Sequence, residues 1–480
     1  MKNIFFKKIK LHNSKIVLLI FFLIVCGFFI SCQKYLDIKP NSAQRLIETA
    51  NDCQLLLDSY SVMNINYPSD GEVSSDDYFL TNSGYLDKSL TDEDRQLYIW
   101  SGSVLRDLAT SAQWNQCYQV VYQANLVLET LTKLTGSNTD QTTLNNLKGS
   151  ALFFRSFAFW QIAQLYAKPY VATTAAQDPG IPIRLSSDFN DISSRGTVEQ
   201  TYRQIVEDLQ TSAEMISANT PIVSSRPSKT AAYAMLARVY LSMENYASAL
   251  ANATLALQLH NQLIDFNTLD QTSDTPFGPI FGNAEEIFHS VTVGGRALSA
   301  DPQSYNLAKI DSSLVASYKI NDLRKQIFFK KNIGQDSLTY RFTGNFEPTT
   351  QATFFNGLAT DELYLTRAEC YARAGNINLA MADLNILLKS RWVTGTYIDQ
   401  NATTADDALS IILIERRKEL LMRSLRWTDL RRLNHDSRFA ITLKRINNGT
   451  NYNLAPNDLR YVLLIPSQVI NNSNLAQNPR

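Results

Sequence analysis

Acidic residues are adjacent at several places in the chain, among them Asp76-Asp77, Asp92-Glu93-Asp94 and Glu285-Glu286. Neighbouring carboxylates could serve as the acid and base of a glycosidase, which lie about 5 to 10 Å apart across a sugar, or as calcium ligands. The D-x-D-x-D-G pattern of a calcium loop does not occur. Because the first two clusters lie in polar segments, we interpret them as solvated loop acids and predict neither a metal nor a cofactor.

Other patterns typical of enzymes are missing from the sequence. It contains no H-E-x-x-H zinc motif, no phosphate-binding P-loop and no G-x-S-x-G nucleophile turn. After residue 31 the only histidines are His260, His289 and His435, which are far apart in the chain. A catalytic triad or a histidine-built metal site would need such residues to converge. We therefore predict that the protein is not an enzyme.

Aromatic residues in loops suggest a binding site for a sugar-like ligand. The flat face of a tyrosine or tryptophan can stack on a pyranose ring while amides and carboxylates bond its hydroxyl groups. The candidate ligand-binding residues are Tyr67, Asp76, Asp77, Tyr78, Asn82, Tyr85, Trp100 and Tyr305. The alternative for a lone tyrosine is packing in the interior, as we predict for the aromatic run from Phe153 to Trp160, which has helical spacing.

The first 31 residues have the layout of an export signal. Five lysines precede an apolar run from Ile16 to Ile30, which is shorter than the roughly 20 residues that a membrane-spanning helix needs. Ser31 and Cys32 follow the run, so the pattern predicts a lipoprotein signal that is cleaved before Cys32 and leaves this cysteine lipid-attached. The alternatives are an ordinary secretory signal and a retained N-terminal helix.

The charge balance excludes a nucleic-acid partner. The chain has 45 basic and 45 acidic residues, and the predicted signal removes five lysines but no acid, so the mature chain is acidic. Binding to phosphates would need a basic patch. The densest basic run, Arg416-Arg417-Lys418, is flanked by Glu415 and Glu419.

Helices must position most of these residues, because helical spacing dominates the pattern. Strong helical patterns cover residues 114–134, 147–166, 197–216, 229–259, 361–391 and 405–433. In 229–259 and 361–391, alanines and aromatic residues recur on both sides of a short break, at Met243-Glu244-Asn245 and at Gly375-Asn376. Small residues on facing stripes let two helices pack closely, and both segments resemble the tetratricopeptide helix pair.

Long segments without helical spacing separate these helices. They cover residues 65–105, 168–195, 261–360 and 434–480, with strand-like runs at 286–291, 338–342 and 461–465. Loops of this length in a compact protein usually carry function. We predict a mainly α protein whose tetratricopeptide-like hairpins carry long loop-rich insertions and a few short strands.

The segment from residue 405 to 433 allows specific local predictions. Thr404, followed three residues later by Asp407, is typical of a helix start. Glu415 is expected to pair with Lys418, and Glu419 with Arg423, along one helix face. We interpret its arginines as structural groups that satisfy acids and carbonyls of adjacent loops.

Several segments, taken in order, resemble the SusD-like (RagB/SusD) family from residue 32 to the C-terminus. They are Gln33 to Pro40, Trp114-Asn-Gln-Cys-Tyr118, Ala124-Asn125, Ala151 to Phe159, Gln164-Leu-Tyr166, Leu464-Ile-Pro466 and Asn474 to Pro479. The most specific piece is Glu415-Arg-Arg-Lys-Glu-Leu420 with Arg426-Trp-Thr-Asp-Leu-Arg-Arg432, which is similar to the C-terminal signature of that family.

This resemblance implies a function, a partner and a location. It implies a lipid-anchored protein of the outer membrane, facing the cell exterior, which captures a glycan or another nutrient for a SusC-like TonB-dependent transporter. It also implies one domain at residues 32–480, with N-terminal (32–225) and C-terminal (226–480) parts intertwined. A tetratricopeptide-like scaffold for a protein partner, or a peptide-binding lid without affinity for glycans, is the alternative.

Overall fold

The structure is a computed structural model that describes residues 47–103, 112–136, 139–301 and 306–480. Residues Thr49–Arg480 form one compact unit. The predicted lipid-attachment residue Cys32 and the predicted ligand residue Tyr305 lie outside the described residues. This unit contains all the elements below.

The described residues form seventeen α-helices. The first nine are α1 (Ala50–Leu57), α2 (Tyr60–Met63), α3 (Asp70–Ser74), α4 (Asn82–Tyr85), α5 (Asp92–Tyr98), α6 (Ala112–Leu134), α7 (Gln141–Tyr166), α8 (Val198–Met215) and α9 (Lys229–Ser242). The others are α10 (Tyr246–Leu259), α11 (Ser312–Ser317), α12 (Arg324–Ile327), α13 (Thr360–Arg373), α14 (Ile377–Lys389), α15 (Ala405–Glu419), α16 (Arg426–Leu433) and α17 (Ser467–Asn471). The mainly α fold that we predicted is confirmed.

The strands are short and pair only in twos within the described residues. They are β1 (Tyr78–Phe79), β2 (Pro179–Pro182), β3 (Arg195–Thr197), β4 (Glu286–Phe288), β5 (Lys309–Ile310), β6 (Phe329–Lys331), β7 (Tyr340–Phe342), β8 (Leu358–Ala359), β9 (Leu443–Asn447) and β10 (Thr450–Leu454). The antiparallel pairs are β1 with β5, β2 with β3, β4 with β8, β6 with β7 and β9 with β10. The predicted strand at residues 461–465 is wrong, since Tyr461 ends a short 3-10 helix and residues 462–465 form neither helix nor strand.

The centre of the fold is helix α7, which packs between α6 and α8. Its aromatic side chains are buried, and Phe153, Phe154 and Phe157 are 0% exposed. All three rings lie within 6 Å of the ring of Phe288 on β4, which ties the distant β4 segment to the helical layer. The prediction that this aromatic run forms core is confirmed.

Two helix hairpins, α9–α10 and α13–α14, continue this layer. Small residues at the contact, among them Ala249, Ala253 and Ala380, are 0% exposed and let the helices approach closely. Gly375 takes a positive φ of 79° at the turn of the second hairpin, a conformation that glycine adopts at no steric cost. Although about a hundred residues separate the hairpins in the sequence, α10 packs directly on α13, as in a tetratricopeptide stack.

The segment predicted as one helix from 405 to 433 is divided into α15 and α16. Its start is as predicted, since the Thr404 side chain accepts a hydrogen bond from the amide of Asp407 at 3.1 Å. The helix then breaks at Met422 and Ser424, which have positive φ angles of 57°. This break turns Arg423 toward Asp361, with Nη1 3.1 Å from Oδ2, so the predicted pair of Arg423 with Glu419 is wrong.

Candidate ligand-binding site

Two of the predicted ligand-binding aromatics, Tyr78 and Trp100, belong to an aromatic cage that is occupied by another side chain of the protein. Together with Tyr98 they surround the guanidinium of Arg445, which lies 3.8 Å from the centre of the Tyr98 ring and 4.6 Å from that of Trp100. The same guanidinium donates hydrogen bonds to the carbonyls of Val73, Ser75 and Tyr98. Tyr78 and Trp100 are therefore packing residues, because a cation from β9 already occupies their faces.

Tyr67 is also buried by the protein. It is 0% exposed, its ring packs edge-on against Phe157 with centroids 4.9 Å apart, and its hydroxyl donates to the carbonyl of Met63. Burial raises the pKa of this phenol well above its ordinary value. Its role in the structure is packing and not ligand contact.

The acidic pair Asp76-Asp77 forms salt bridges instead of lying solvated in a loop. Arg426 forms a forked pair with Asp76 at 2.7 and 2.9 Å, and Arg417 donates to Asp77 at 2.9 Å. Burial alone would raise the pKa of Asp76, but Arg426 and Arg417 hold it below its ordinary value. These carboxylates anchor the C-terminal arginine motif, whose predicted structural role is confirmed at this contact.

Besides the partly exposed, ion-paired Asp76, the predicted residues that keep accessible surface within the described part of the chain are Asn82 and Tyr85. Both lie on the short helix α4, where Asn82 is exposed and Tyr85 is half-buried. The side-chain Oδ1 of Asn82 accepts a hydrogen bond from the backbone amide of Asn448 at the tip of the β9–β10 hairpin. The structure thus leaves one amide and one phenol ring of the predicted set at the surface.

A larger aromatic surface lies elsewhere, on one face of α6. Trp114, Tyr118, Tyr122 and Asn125 recur at intervals of three or four residues, so they share this face. The rings of Trp114 and Tyr118 lie 5.0 Å apart, and the Tyr118 hydroxyl donates to the carbonyl of Pro182. Together these side chains form the floor of an open cleft of about 350 Å³.

Two other segments form the walls of this cleft, which we call the α6 cleft. Its lining comprises Trp114, Tyr118, Val121, Tyr122, Asn125, Pro182, Arg184, Ser186, Phe189, Ser193, Gln468, Val469, Asn472, Ser473 and Leu475. One wall is the loop after β2 and the other is α17 with the residues that follow it. The volume lies within the range of about 300–1,000 Å³ that is usual for small-ligand sites.

Phe189 gives the α6 cleft its clearest binding feature. Its side chain is 81% exposed and its ring stacks on that of Tyr122, with centroids 5.0 Å apart and planes inclined by 29°. An exposed, stacked aromatic pair offers a flat apolar face without needing further ordering when a ligand binds. In the same lining, Asn125 accepts a hydrogen bond from Arg155 and donates to the carbonyls of Arg184 and Ser186.

The side chains of the α6 cleft are mostly neutral. Among the residues that the structure describes, its lining contains amides, hydroxyls, one guanidinium and aromatic rings, but no Asp, Glu, His or Cys. Among the residues that the structure describes, no group of three or more His, Cys, Asp or Glu side chains could hold a metal ion.

The residues of the α6 cleft were absent from the sequence-based site. The signal that could have revealed them is the four-residue spacing of Trp114, Tyr118 and Tyr122, which places three aromatic residues on one face of a helix. Phe189 gives no such signal, because only the fold brings its loop to Tyr122. The predicted helix at 114–134 was correct, but its aromatic face was not considered as a surface.

Family models match most of the chain. A SusD-like model described as "Starch-binding associating with outer membrane" matches residues 34–241, and the model of the SusD family matches residues 360–480. The chain belongs to the SusD family. The C-terminal signature at 415–432 lies within the second match, which agrees with the resemblance identified from the sequence.

Relatives of the SusD family extend this comparison. The SusD-like protein P2 of Formosa agariphila is 22% identical over 379 residues, which cover 67% of this chain and 71% of that protein. A SusD superfamily protein of Bacteroides thetaiotaomicron is 22% identical with a TM-score of 0.73 and covers 90% of this chain and 100% of its own. A SusD-like carbohydrate-binding protein of Bacteroides vulgatus is 18% identical with a TM-score of 0.67, covering 89% and 98%.

Membrane attachment through a helix has no support in the described part of this SusD family chain. None of the helices there has both the length and the apolar character needed to cross a bilayer.

Proposed function

We propose that this protein is a lipid-anchored glycan-binding protein of the cell surface, which captures an oligosaccharide and delivers it to a SusC-like TonB-dependent transporter. The observation that carries the proposal is the α6 cleft with its exposed Tyr122–Phe189 stack. A pyranose ring has an apolar face that fits such a stack, while its hydroxyl groups can bond amides such as those of Gln468 and Asn472 at the rim.

Membership of the SusD family supports the ligand class. One matching family model is described as starch-binding, and a solved structure of the same fold is described as a carbohydrate-binding protein. The absence of carboxylates, histidines and cysteines from the cleft lining favours capture of the ligand without turnover. The transporter as recipient is an inference from the family.

The anchor belongs to the same proposal. Cys32 follows the apolar run at the position where lipoprotein processing requires a cysteine. Lipid attachment there would hold the compact unit Thr49–Arg480 at the outer membrane, facing the cell exterior.

Asn82 and Tyr85 are proposed as a second contact area for an extended ligand. They retain accessible surface on α4, and the half-buried Tyr452 of β10 influences the same Tyr85 hydroxyl, whose pKa is raised by burial and by Tyr452. An oligosaccharide longer than the α6 cleft could use additional aromatic surface of this kind.

A glycan and peptide array with the chain from Gln33 onward tests the function. This chain retains the whole compact unit Thr49–Arg480. We expect saturable binding of at least one oligosaccharide by calorimetry, with the oligosaccharide recovered unchanged after long incubation. Binding of peptides alone would favour the peptide-binding lid, hydrolysis of the sugar would show an enzyme, and no binding to any member would contradict glycan capture.

A further inference from the structure

The α6 cleft has an uneven charge. Among the described residues that line it, Arg184 is the only one with a charged side chain, and none is acidic. A cationic site with low-dielectric aromatic walls attracts anionic groups more strongly than an open surface does. The charge of Arg184 therefore matters for which ligand the cleft can accept.

The contacts of Arg184 leave its charge unpaired by any acid. Its Nη1 donates to the carbonyl of Asp191 at 2.9 Å and to the hydroxyl of Ser193 at 2.7 Å, and its Nη2 donates to the carbonyl of Asp188 at 2.5 Å. All three acceptors are neutral, and within the described residues no carboxylate forms an ion pair with this guanidinium. Its Nε has no hydrogen-bond acceptor there and so can donate to a ligand.

The carboxylates of this loop, and that of Glu129 which contacts it, are directed to other partners. Asp188 accepts hydrogen bonds from the amide and side chain of Asn190. Glu129 on α6 accepts from the amide and hydroxyl of Ser187 at 2.7 and 2.5 Å. Asp191 is exposed, and it contributes only its backbone carbonyl to Arg184. The loop is thus fixed around the guanidinium without neutralising it.

A second arginine strengthens the positive potential behind the cleft. Arg195 donates to the carbonyls of Gly180 and Ala476 and to the amide oxygen of Asn478, each at 2.9 Å, and none of these acceptors is charged. Burial lowers the pKa of Arg195, because the charged guanidinium loses hydration there. It also donates to the carbonyl of Tyr166 at the C-terminal end of α7, where the helix dipole offsets only part of a full charge.

From this distribution we infer that the ligand of the α6 cleft is an acidic oligosaccharide, whose carboxylate or sulfate group lies against Arg184 while an adjacent sugar ring stacks on Phe189. This inference rests on the proposed function and narrows it to one chemical class. A planar guanidinium with a free donor suits both carboxylate and sulfate oxygens. The stacked aromatic pair favours a sugar over an acidic peptide, because a pyranose ring presents the flat apolar face that such a pair accommodates.

Matched acidic and neutral sugars test the inference. The full-length protein in detergent micelles would be titrated with oligogalacturonate, oligomannuronate and a sulfated chondroitin oligosaccharide, each compared with its neutral form. The neutral forms are the methyl esters of the two uronates and a chondroitin that is both desulfated and methyl-esterified. We expect at least one acidic form to bind about tenfold or more tightly than its neutralised partner. This preference should weaken between 0.1 M and 1 M salt, where the Debye length falls from about 10 to 3 Å.

Variants of Arg184 test whether this residue causes the preference for acidic sugars. Arg184→Gln should reduce affinity for the acidic form by about tenfold or more and abolish the preference over the neutral form. Arg184→Lys keeps the positive charge but loses the planar guanidinium, so it should retain part of the preference for the acidic form. Arg203→Gln is the control, since Arg203 is a largely exposed arginine on α8 outside the cleft. Thermal unfolding of each variant shows whether the fold is preserved.

The possible results distinguish a failure of this inference from a failure of the proposed function on which it rests. Equal affinity for acidic and neutral forms, or acidic binding unaffected by Arg184→Gln in a folded variant, overturns the inference and leaves glycan capture standing. Preferential binding of an acidic peptide over every sugar overturns it in favour of a peptide ligand. Absence of binding to all sugars, neutral or acidic, contradicts both the inference and the proposed function.

Discussion

Tyr78, Tyr98 and Trp100 enclose the guanidinium of Arg445, whereas the stacked Tyr122 and Phe189 leave aromatic surface open to solvent. The first arrangement is a closed cation–π box and the second is an open platform. Similar residue types therefore serve packing in one place and offer binding in another. The difference depends on whether a side chain distant in sequence already occupies the aromatic face.

The open platform allows a test at a single residue. Phe189→Ala should weaken binding of an oligosaccharide by about tenfold, since the stacking of a ligand ring on an aromatic side chain contributes roughly 1–3 kcal/mol. The melting temperature should stay unchanged, because Phe189 is 81% exposed. Ile192→Ala is the matched control, as Ile192 lies in the same loop, is 88% exposed and does not line the cleft. Calorimetry gives the affinities, and equal losses in both variants would argue against the platform.

A buried histidine makes stability depend on pH. His289 is 1% exposed, and its two ring nitrogens contact Glu286 and, at 3.2 Å, Glu347, while the Tyr60 hydroxyl lies 2.9 Å from Nε2. Burial alone would lower its pKa, but the hydrogen bonds to Glu286 and Glu347 raise it to about 9. Because the folded-state pKa is raised, this contribution is complete below about pH 6.5 and is lost as the pH rises through 9.

The wild type and His289→Gln should differ in how steeply the free energy of unfolding changes with pH. The free energy of unfolding of the wild type should fall between pH 6.5 and 9.5 by up to about 3 kcal/mol more than that of His289→Gln. Urea unfolding at a series of pH values measures it. Parallel curves for the two proteins would mean that His289 is not charged in the folded state.

The accessible part of the site could be predicted from the sequence only in part. The sequence identified loop aromatics as candidates, but Tyr67, Tyr78 and Trp100 are buried by side chains that are distant in the sequence, such as Phe157 and Arg445. Helical spacing alone would have placed Trp114, Tyr118 and Tyr122 on one face. Phe189 could not be identified, since its contact with α6 is set by the fold.

At the scale of elements, the C-terminal helix pair is fixed to the hairpins by buried ion pairs. Glu419 on α15 accepts from Arg391 at 2.7 Å and from Arg324 at 3.0 Å, and all three side chains are 0–1% exposed. Arg432 on α16 pairs with Glu369 of α13 at 2.6 Å. The predicted pair of Glu415 with Lys418 is also present, at 2.8 Å.

Removing one carboxylate from this network of buried ion pairs should lower the free energy of unfolding strongly. Glu419→Gln leaves two buried guanidiniums without their shared carboxylate, so we expect a loss of about 3–5 kcal/mol in the free energy of unfolding. Glu207→Gln is the control, because Glu207 and Arg203 are about 60% exposed and 4.0 Å apart, a type of pair that contributes less than about 1 kcal/mol. Urea unfolding compares them, and a similar small loss in both would show that Glu419 is not essential to the network.

Local signals predicted the elements well where packing agreed with them. The hairpins 229–259 and 361–391 were recognised because their small residues recur with helical spacing. The β9–β10 hairpin was missed, although Asn448-Gly449 is a strong two-residue turn signal and both residues have positive φ angles. The break at residues 420–425 gave no local signal, since it serves the distant contact of Arg423 with Asp361.

At the scale of the whole molecule, the α6 cleft combines segments from three parts of the chain. Helix α6 supplies its floor, the loop after β2 supplies Arg184 and Phe189, and the C-terminal segment supplies Gln468 and Asn472. The long insertions therefore act as walls on a helical scaffold. A ligand bound there would contact all three parts at once and stabilise the compact unit against unfolding.

A crystal structure of the protein with the oligosaccharide that binds best tests the account most directly. We predict a sugar ring stacked on the Tyr122–Phe189 pair in the α6 cleft, with an acidic substituent within hydrogen-bonding distance of Arg184 and all glycosidic bonds intact. A ligand bound only beside Asn82 and Tyr85, or at another surface with the α6 cleft empty, would contradict the assignment of the binding site.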